Sequence, residues 1–299
     1  MDSLGGGVYH TTPGVLRPLP GVEAHPSLEG VTPESTRRPA APPPSDATHA
    51  PPTVSVITPA HDAARFLDET IRSVKAQTFT DWEMIIVDDD SRDETREIAG
   101  RWASSDPRIR LVRQSPKQGP GPARNRGLAE ARGRYVAFLD SDDLWRSEKL
   151  EVQVAFMRET GAVFSFAGYS IIDERGKPSG RPVRAPDRVD YLFLLHNTII
   201  GCLTVMLDRT RLDPLSMPPL RQHEDLSLWY DLLRRGVVAQ GIPRDLALYR
   251  VVRGSASRNR IRSALHMWKI YRVREQLSLP SALWCYAHYA WNACWKSRV

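Results

Sequence analysis

The sequence predicts an α/β protein built on a mostly parallel central sheet, and three observations lead there. Between Val54 and Leu139, short β-branched runs alternate with helical patterns at about 25 to 30 residues per unit, the spacing of parallel strands joined by crossover helices. Several of those runs end in aspartates, at the strand termini where α/β proteins place their ligands. The composition, 41% hydrophobic and 25% charged over 299 residues, is that of a soluble chain able to bury a core.

The first segment does not share this pattern. Residues 1–52 hold eleven of the 24 prolines, few aromatic or branched apolar residues, and no period of 2 or 3.6. Such a segment buries too little surface to offset its ordering entropy, so a disordered tail is expected. The first strand is then Val54 to Thr58, stopped by Pro59, which cannot donate to a ladder. Phe66, Leu67, Ile71 and Val74 recur at helical spacing, and Trp82 to Val87 is a second strand that runs into Asp88, Asp89 and Asp90. Ser91 with Glu94 reads as a capping box that starts the next helix. Ile109 to Val112 is a third strand. Gly119 to Pro122 opens a helix that closes near Gly133, and Tyr135 to Leu139 is a fourth strand that leads into Asp140-Ser141-Asp142-Asp143. Further on, Leu226, Leu228, Trp229 and Leu232 have the spacing of a helix anchored in the core, with His223 at its start.

Thr58, Asp88, Asp89, Asp140 and Asp142 therefore converge on one crevice. Unpaired carboxylates there would repel one another, and a hard divalent cation with a phosphorylated ligand would relieve them. Asp90 and Asp143 suit helix capping better. The sequence lacks a G-x-G-x-x-G after the first strand, a G-x-x-x-x-G-K-[ST] loop and a G-x-S-x-G elbow, which excludes dinucleotide-dependent dehydrogenases, P-loop enzymes and α/β-hydrolases.

Charge is unevenly placed. The net charge is +6, yet residues 244–299 contain eleven Arg or Lys against two acids. No nucleic-acid-binding module accompanies this excess, so nucleic acid is not an expected partner, whereas an anionic membrane surface or a phosphorylated ligand suits it. Residues 276–295 carry no charge, but Pro280, His288 and Asn292 interrupt them and Trp and Tyr supply much of their apolarity, which fits a packed or interfacial helix rather than a span. Tyr191 to Leu207 is too short and too polar to span and is expected in the core. Cys202, Cys285 and Cys294 form no C-x-x-C pair, and the residues after Met1 form no apolar leader, so a cytoplasmic setting without disulfides or zinc is expected.

Five segments in order carry a resemblance: Val54-Ser-Val-Ile-Thr-Pro59, Asp88-Asp-Asp-Ser91, Gly121-Pro-Ala-Arg-Asn-Arg-Gly127, Tyr135-Val-Ala-Phe-Leu-Asp-Ser-Asp-Asp-Leu-Trp145 and His223-Glu-Asp-Leu-Ser-Leu-Trp229. Together they resemble the family 2 glycosyltransferases of the GT-A fold. Asn197 to Cys202, Tyr249-Arg250 and Trp268 to Arg272 narrow the likeness to the bacterial enzymes of teichuronic acid and related cell-surface polysaccharide synthesis.

The resemblance implies an inverting transferase that takes a nucleotide-diphosphate sugar, with a lean to uridine, and Mg²⁺ or Mn²⁺ as cofactor. Its acceptor would be a glycan or polyprenyl-linked glycan, met at the inner face of the membrane. Residues 53–253 would be the transferase domain and 254–299 a basic, aromatic-rich helical extension. Thr58, Pro59, Ala60, Asp62, Asp89, Arg124, Asp140 and Ser141 would bind the nucleotide sugar, although the family commonly has Tyr-Asn where this chain has His61-Asp62. Asp140 and Asp142 match the metal-binding D-x-D. Asp225 would be the general base, and Glu224 and Arg258 would contact the diphosphate or the acceptor. A non-catalytic nucleotide-sugar-binding or membrane-associated adaptor of the same fold is the alternative, and the retention of Asp140, Asp142 and Asp225 argues against it.

Overall fold

The structure, a computed structural model, describes residues 50–220, 222–252 and 260–297. Most of the expected N-terminal tail, and Arg253 and Arg258 of the basic stretch, lie outside the described residues.

Four strands form the first half of the sheet: β1 (Val54–Ala60), β2 (Trp82–Asp89), β3 (Ile109–Gln114) and β4 (Tyr135–Phe138). They run parallel in the order β3-β2-β1-β4. The connecting helices are α1 (Leu67–Lys75), α2 (Thr95–Ser105) and α3 (Pro120–Glu130). Beyond β4 come β5 (Leu144–Trp145), α4 (Lys149–Thr160), β6 (Phe164–Ile172) and β7 (Arg188–Val189). Then follow α5 (Tyr191–His196), β8 (Met206–Asp208), α6 (Arg209–Leu212), α7 (Glu224–Arg234) and β9 (Ala239–Arg250). The full order is β3-β2-β1-β4-β8-β6-β9-β5, with β7 paired to β9. The sheet turns antiparallel at β8, between β4 and β6, and parallel again where β6 meets β9.

Both faces of the sheet are covered. Ile57, Ile85, Val87 and Phe138 face a cluster that includes Trp229 of α7, whereas Val54, Val56, Met84 and Ile86 face one that includes Leu67, Ile71 and Leu150 of α1 and α4. This is why the strands read as nearly continuous apolar runs. Gly127 lets α3 approach closely, since a Cβ there would lie 2.4 Å from Ile57 Cγ2. The close approach holds the start of α3 beside the ends of β1 and β2.

Two local expectations are corrected. β1 does not stop at Thr58 but runs through Pro59 to Ala60. The carbonyls of Thr53 and Ile57 accept hydrogen bonds from the β4 side, so alternate residues, Pro59 among them, point that way. Pairing with β4 ends at Ile57, so the missing N–H of Pro59 costs no ladder bond. The second correction concerns α2, which starts at Thr95 with no side-chain cap. Asp93 Oδ1 accepts from Thr95 N at 3.0 Å and Thr95 Oγ1 at 2.5 Å, while Ser91 N donates to Asp88 Oδ1 at 3.2 Å. The Ser91 N–H that the box would give to Glu94 thus goes to Asp88, and Ser91 Oγ, the would-be cap, accepts from Asp62 N at 3.2 Å.

The C-terminal part consists of α8 (Arg260–Lys269), one π turn (Ile270–Arg274) and α9 (Leu279–Ser297). It is tied to the rest through polar contacts, some of them buried. Tyr271 Oη donates to the carbonyl of Leu195 at 2.7 Å, Tyr191 Oη donates to Glu275 Oε2 at 2.6 Å, and Arg234 pairs with Glu275. Ala282 and Cys285 of α9 are buried, with Tyr286 and Tyr289 packed against the same cluster. The opposite side of α9 exposes Leu283, Trp284 and Trp291, at 54, 63 and 66% of their surface. Among the described residues no helix is long and apolar enough to cross a membrane. The uncharged run from Tyr191 to Leu207 is divided into α5, a 3-10 turn (Cys202–Thr204) and β8.

Candidate active site

A cleft of about 690 Å³ opens at the carboxyl ends of β1, β2 and β4, bounded on its far side by the start of α7. β1 contributes Pro59 and Ala60. β2 contributes Asp89, the turn after β4 contributes Asp140, Ser141 and Asp142, and α7 contributes Glu224 and Asp225. Of the residues expected here, Thr58 is fully buried beneath the cleft and does not line it. Asp62 also lies off the cleft, its side chain 46% exposed and its Oδ1 accepting from Arg92 N at 2.8 Å. The residue between them in the motif, His61, does line the cleft and hydrogen-bonds through Nδ1 to the carbonyl of Asp89 at 2.8 Å. Arg258 lies outside the described residues.

The acidic residues divide by what compensates them. Asp89 is buried, and its carboxylate accepts from Gln114 Nε2 (2.6 Å), Gln118 N (2.8 Å) and Gly119 N (2.7 Å). It therefore holds the loop before α3, with one of about four lone pairs left for a ligand donor. Asp140 Oδ1 accepts from Arg124 Nη2 at 2.5 Å, and Glu224 Oε1 accepts from Arg124 Nη1 at 2.7 Å. One buried guanidinium thus bridges the strand-end motif and the start of α7. Burial alone would lower the pKa of Arg124, but Asp140 and Glu224 raise it well above its ordinary value, so the charge is fixed. Each terminal nitrogen of Arg124 thus holds a carboxylate of the protein, and the residue also lines the cleft.

Asp143, which the sequence left as a capping residue, is buried and accepts from Arg250 N at 2.8 Å. Arg250 also donates through Nε to the carbonyl of Asp142 at 2.7 Å and through Nη2 to Glu69 Oε2 at 2.7 Å. Thr70 Oγ1 lies 3.0 and 2.9 Å from the carbonyls of Ser141 and Asp143. Arg250, Glu69 and Thr70 therefore fix the backbone of the aspartate turn. None of them was singled out as a site residue, and the sequence signals only Arg250, by its place beside Tyr249.

Of the carboxylates that line the cleft, Asp142 and Asp225 have neither an ion pair nor a hydrogen bond from another residue's side chain among the described residues, and Asp143 has only the Arg250 N–H. Burial pushes the Asp142 carboxyl up to about 6, with the charge of Asp140 adding to the shift. Burial likewise raises Asp225, against the lowering effect of Arg124. Burying an uncompensated carboxylate costs stability, and such sites are where function concentrates. Asp225 is within the first turn of α7, whose amide dipoles favour its charged form.

Among the described residues no three His, Cys, Asp or Glu side chains surround one point. The cleft offers instead a pair of hard oxygen donors, Asp140 and Asp142, with Asp142 crowded by its neighbour's charge. That donor set fits Mg²⁺ or Mn²⁺, which one or two carboxylates hold together with substrate phosphates, and does not fit zinc.

The model of the family described as "Glycosyl transferase family 2" matches residues 55–208. A Bacillus subtilis protein assigned to teichuronic acid biosynthesis as a glycosyltransferase, TuaG, is 45% identical over 245 residues, 82% of this chain and 97% of its own length. WfgD of Escherichia coli, named as a UDP-Glc:α-D-GlcNAc-diphosphoundecaprenol β-1,3-glucosyltransferase, is 38% identical over 218 residues, 73% of this chain and 84% of its own. Among solved structures, S. aureus TarS 1–349 in complex with UDP-GlcNAc superposes with a TM-score of 0.62 at 21% identity, covering 74% of this chain and 65% of that one, so this chain spans just under two thirds of its length. The mannosyltransferase PcManGT from Pyrobaculum calidifontis, in complex with GDP-Man and Mn²⁺, superposes with a TM-score of 0.60 at 21% identity, over 77% of this chain and 66% of that one. The matching model covers just over half of the sequence, and TuaG and WfgD are 45 and 38% identical over 82 and 73% of it: the chain belongs to glycosyl transferase family 2 and has the GT-A fold.

Proposed function

We propose that the protein is an inverting glycosyltransferase that moves a sugar from a UDP-sugar to a hydroxyl of a lipid-linked glycan during cell-surface polysaccharide synthesis at the inner face of the membrane. Residues 53–253 act as the transferase domain and residues 254–299 as its extension. The observation that carries this reading is a pair of buried carboxylates without an ion pair or a side-chain hydrogen bond, Asp142 and Asp225, at two different edges of one cleft. Asp142, with Asp140, holds the divalent cation. When bound, that cation supplies positive charge to the departing nucleotide diphosphate.

Asp225 accepts the proton of the acceptor hydroxyl as its oxygen attacks the anomeric carbon. The bond to the diphosphate breaks on the opposite side, which inverts the centre. Glu224 is held by Arg124 and so positions the helix start rather than taking the proton. Pro59, Ala60 and His61 wall the nucleoside side, and Asp89 has an acceptor position left for the base. The names and ligands of the relatives, UDP-Glc with a diphosphoundecaprenol acceptor and UDP-GlcNAc, support the donor and acceptor classes.

Purified protein given a panel of nucleotide sugars with Mn²⁺ and an α-GlcNAc-diphosphate lipid should release UDP from at least one UDP-sugar and extend the lipid glycan with inversion at the anomeric carbon. UDP binding without release from any donor would leave the non-catalytic adaptor standing.

Membrane contact is favoured by a second observation, the exposed Leu283, Trp284 and Trp291 of α9 in a segment rich in Arg and Lys. Trp at the headgroup level and basic side chains near anionic lipid each favour binding, the latter by about 1 kcal/mol apiece. Removing α9 entirely would strip Ala282 and Cys285 from the core, so the informative variant is Trp284→Ser with Trp291→Ser. Co-flotation with phosphatidylglycerol vesicles should fall severalfold in the double variant and fall with salt in the wild type. Equal binding to neutral and anionic vesicles would remove the idea.

A further inference from the structure

The cleft is not closed by the transferase domain alone. Ser263 of α8 lines it beside His223, Glu224 and Asp225. His223 caps α7 in the left-handed region, at φ 60°, without a side-chain cap bond. Its ring turns instead toward α8, where Nε2 hydrogen-bonds with Ser263 Oγ at 3.0 Å. Ser263 Oγ in turn lies 3.3 Å from Tyr289 Oη, on α9. The chain His223–Ser263–Tyr289 thus joins the residue before the acidic pair to both C-terminal helices.

Three properties make this chain more than a packing contact. Nδ1 of His223 has no protein partner among the described residues, while the ring lines the cleft. Burial lowers the pKa of the imidazole, which keeps it neutral near neutral pH. A neutral ring offers one N–H donor and one acceptor nitrogen, and with Nε2 engaged by the Ser263 hydroxyl, which can serve in either role, Nδ1 is left to donate to or accept from a hydroxyl of a ligand. That is the chemistry that recognises a neutral sugar hydroxyl, and it stands one residue from Glu224 and two from Asp225.

We propose that His223, held by Ser263 and Tyr289, is an acceptor-recognition residue, so that α8 and α9 complete the acceptor side of the cleft. The inference rests on the placement of the acceptor beside Asp225. It deepens that reading by naming the group that selects the acceptor: the imidazole hydrogen-bonds a sugar hydroxyl neighbouring the one that reacts. Ser263 acts through His223 as a positioning residue.

The test measures acceptor KM and kcat with an α-GlcNAc-diphosphate phenoxyalkyl acceptor, and UDP affinity by calorimetry, for wild type, His223→Ala, Ser263→Ala and Ser263→Thr. His223→Ala should raise acceptor KM about fivefold or more, the scale of one neutral hydrogen bond. Ser263→Ala should raise it by a smaller factor and Ser263→Thr should restore it to within twofold of wild type, with UDP affinity within twofold throughout. An unchanged acceptor KM in His223→Ala, or a matching loss of UDP affinity and acceptor KM, would overturn the inference while leaving the transferase reading intact. If the wild type bound UDP yet transferred to no acceptor, the transferase reading would fail, and this inference with it.

Discussion

Asp142→Asn should lower sugar transfer by at least about 100-fold, the scale of removing one main electrostatic stabiliser of a departing anion. The asparagine keeps the shape of the side chain but not its charge. Asp140 cannot compensate, because Arg124 Nη2 already holds its Oδ1 at 2.5 Å. Nor should the turn collapse, since Arg250 and Thr70 grip its backbone carbonyls and Asp143 rather than the Asp142 carboxylate. The loss should therefore appear without a fall in thermal stability. Stability should even rise slightly, because a buried carboxyl whose pKa stands at about 6 is disfavoured in the folded state when ionised above that pH. Chelation supplies the matching control: excess EDTA should bring wild type down to the level of the variant and leave the variant unchanged. Full turnover in the variant, or in chelated wild type, would remove the metal from the mechanism.

Asp225→Asn is expected to have an effect of similar or larger size but of a different kind. General base catalysis contributes about 10² to 10⁴-fold, so kcat should fall by that order while UDP affinity stays within twofold of wild type. The two variants then separate the two edges of the cleft. The pH profile gives a second readout. Burial raises the pKa of Asp225, and the group works only when unprotonated. Wild-type kcat should therefore climb with pH through that raised value and then level, and the limb should vanish in Asp225→Asn. If UDP affinity fell in parallel with transfer, Asp225 would belong to the donor site or the fold instead.

The first half of the sheet was legible because β1, β2 and β4 are buried on both faces and the edge strand β3 still carries apolar residues at Ile109 and Val112. Residues 54–58, 82–87, 109–112 and 135–139 stand out as short apolar runs; the structure extends the first three by two residues each and ends the fourth at Phe138. The antiparallel half was not legible. β5, β7 and β8 have two or three residues each, too few to show a period.

Asp89, Asp140 and Asp142 reach the cleft because the topology carries the parallel strand ends to the same side, and Glu224 and Asp225 reach it from the first turn of α7. Thr58 and Asp62 do not, since a single residue of register turns a side chain from the cleft to the core or to solvent. The bridging role of Arg124 could not be read at all. Its two partners lie 16 and 100 residues away, and nothing local marks a guanidinium that folding will bury between them. The link from His223 to Ser263 and Tyr289 is hidden for the same reason.

Arg124 also constrains how such a sequence can drift. Removing one partner from a buried ion pair costs about 3 to 5 kcal/mol, because the stranded charge stays in the interior, whereas exchanging the whole set for a well-packed neutral one can cost little. The side chains of Arg124 and Glu224 are only 5 and 8% exposed, so either one changed alone would leave such a charge behind. Position 121 is bound into the same unit, because a Cβ there would press on the Glu224 side chain at 3.2 Å. Arg124 and Glu224 are thus coupled across the chain: a change of either one is expected to cost little only when the other, a hundred residues away, changes with it.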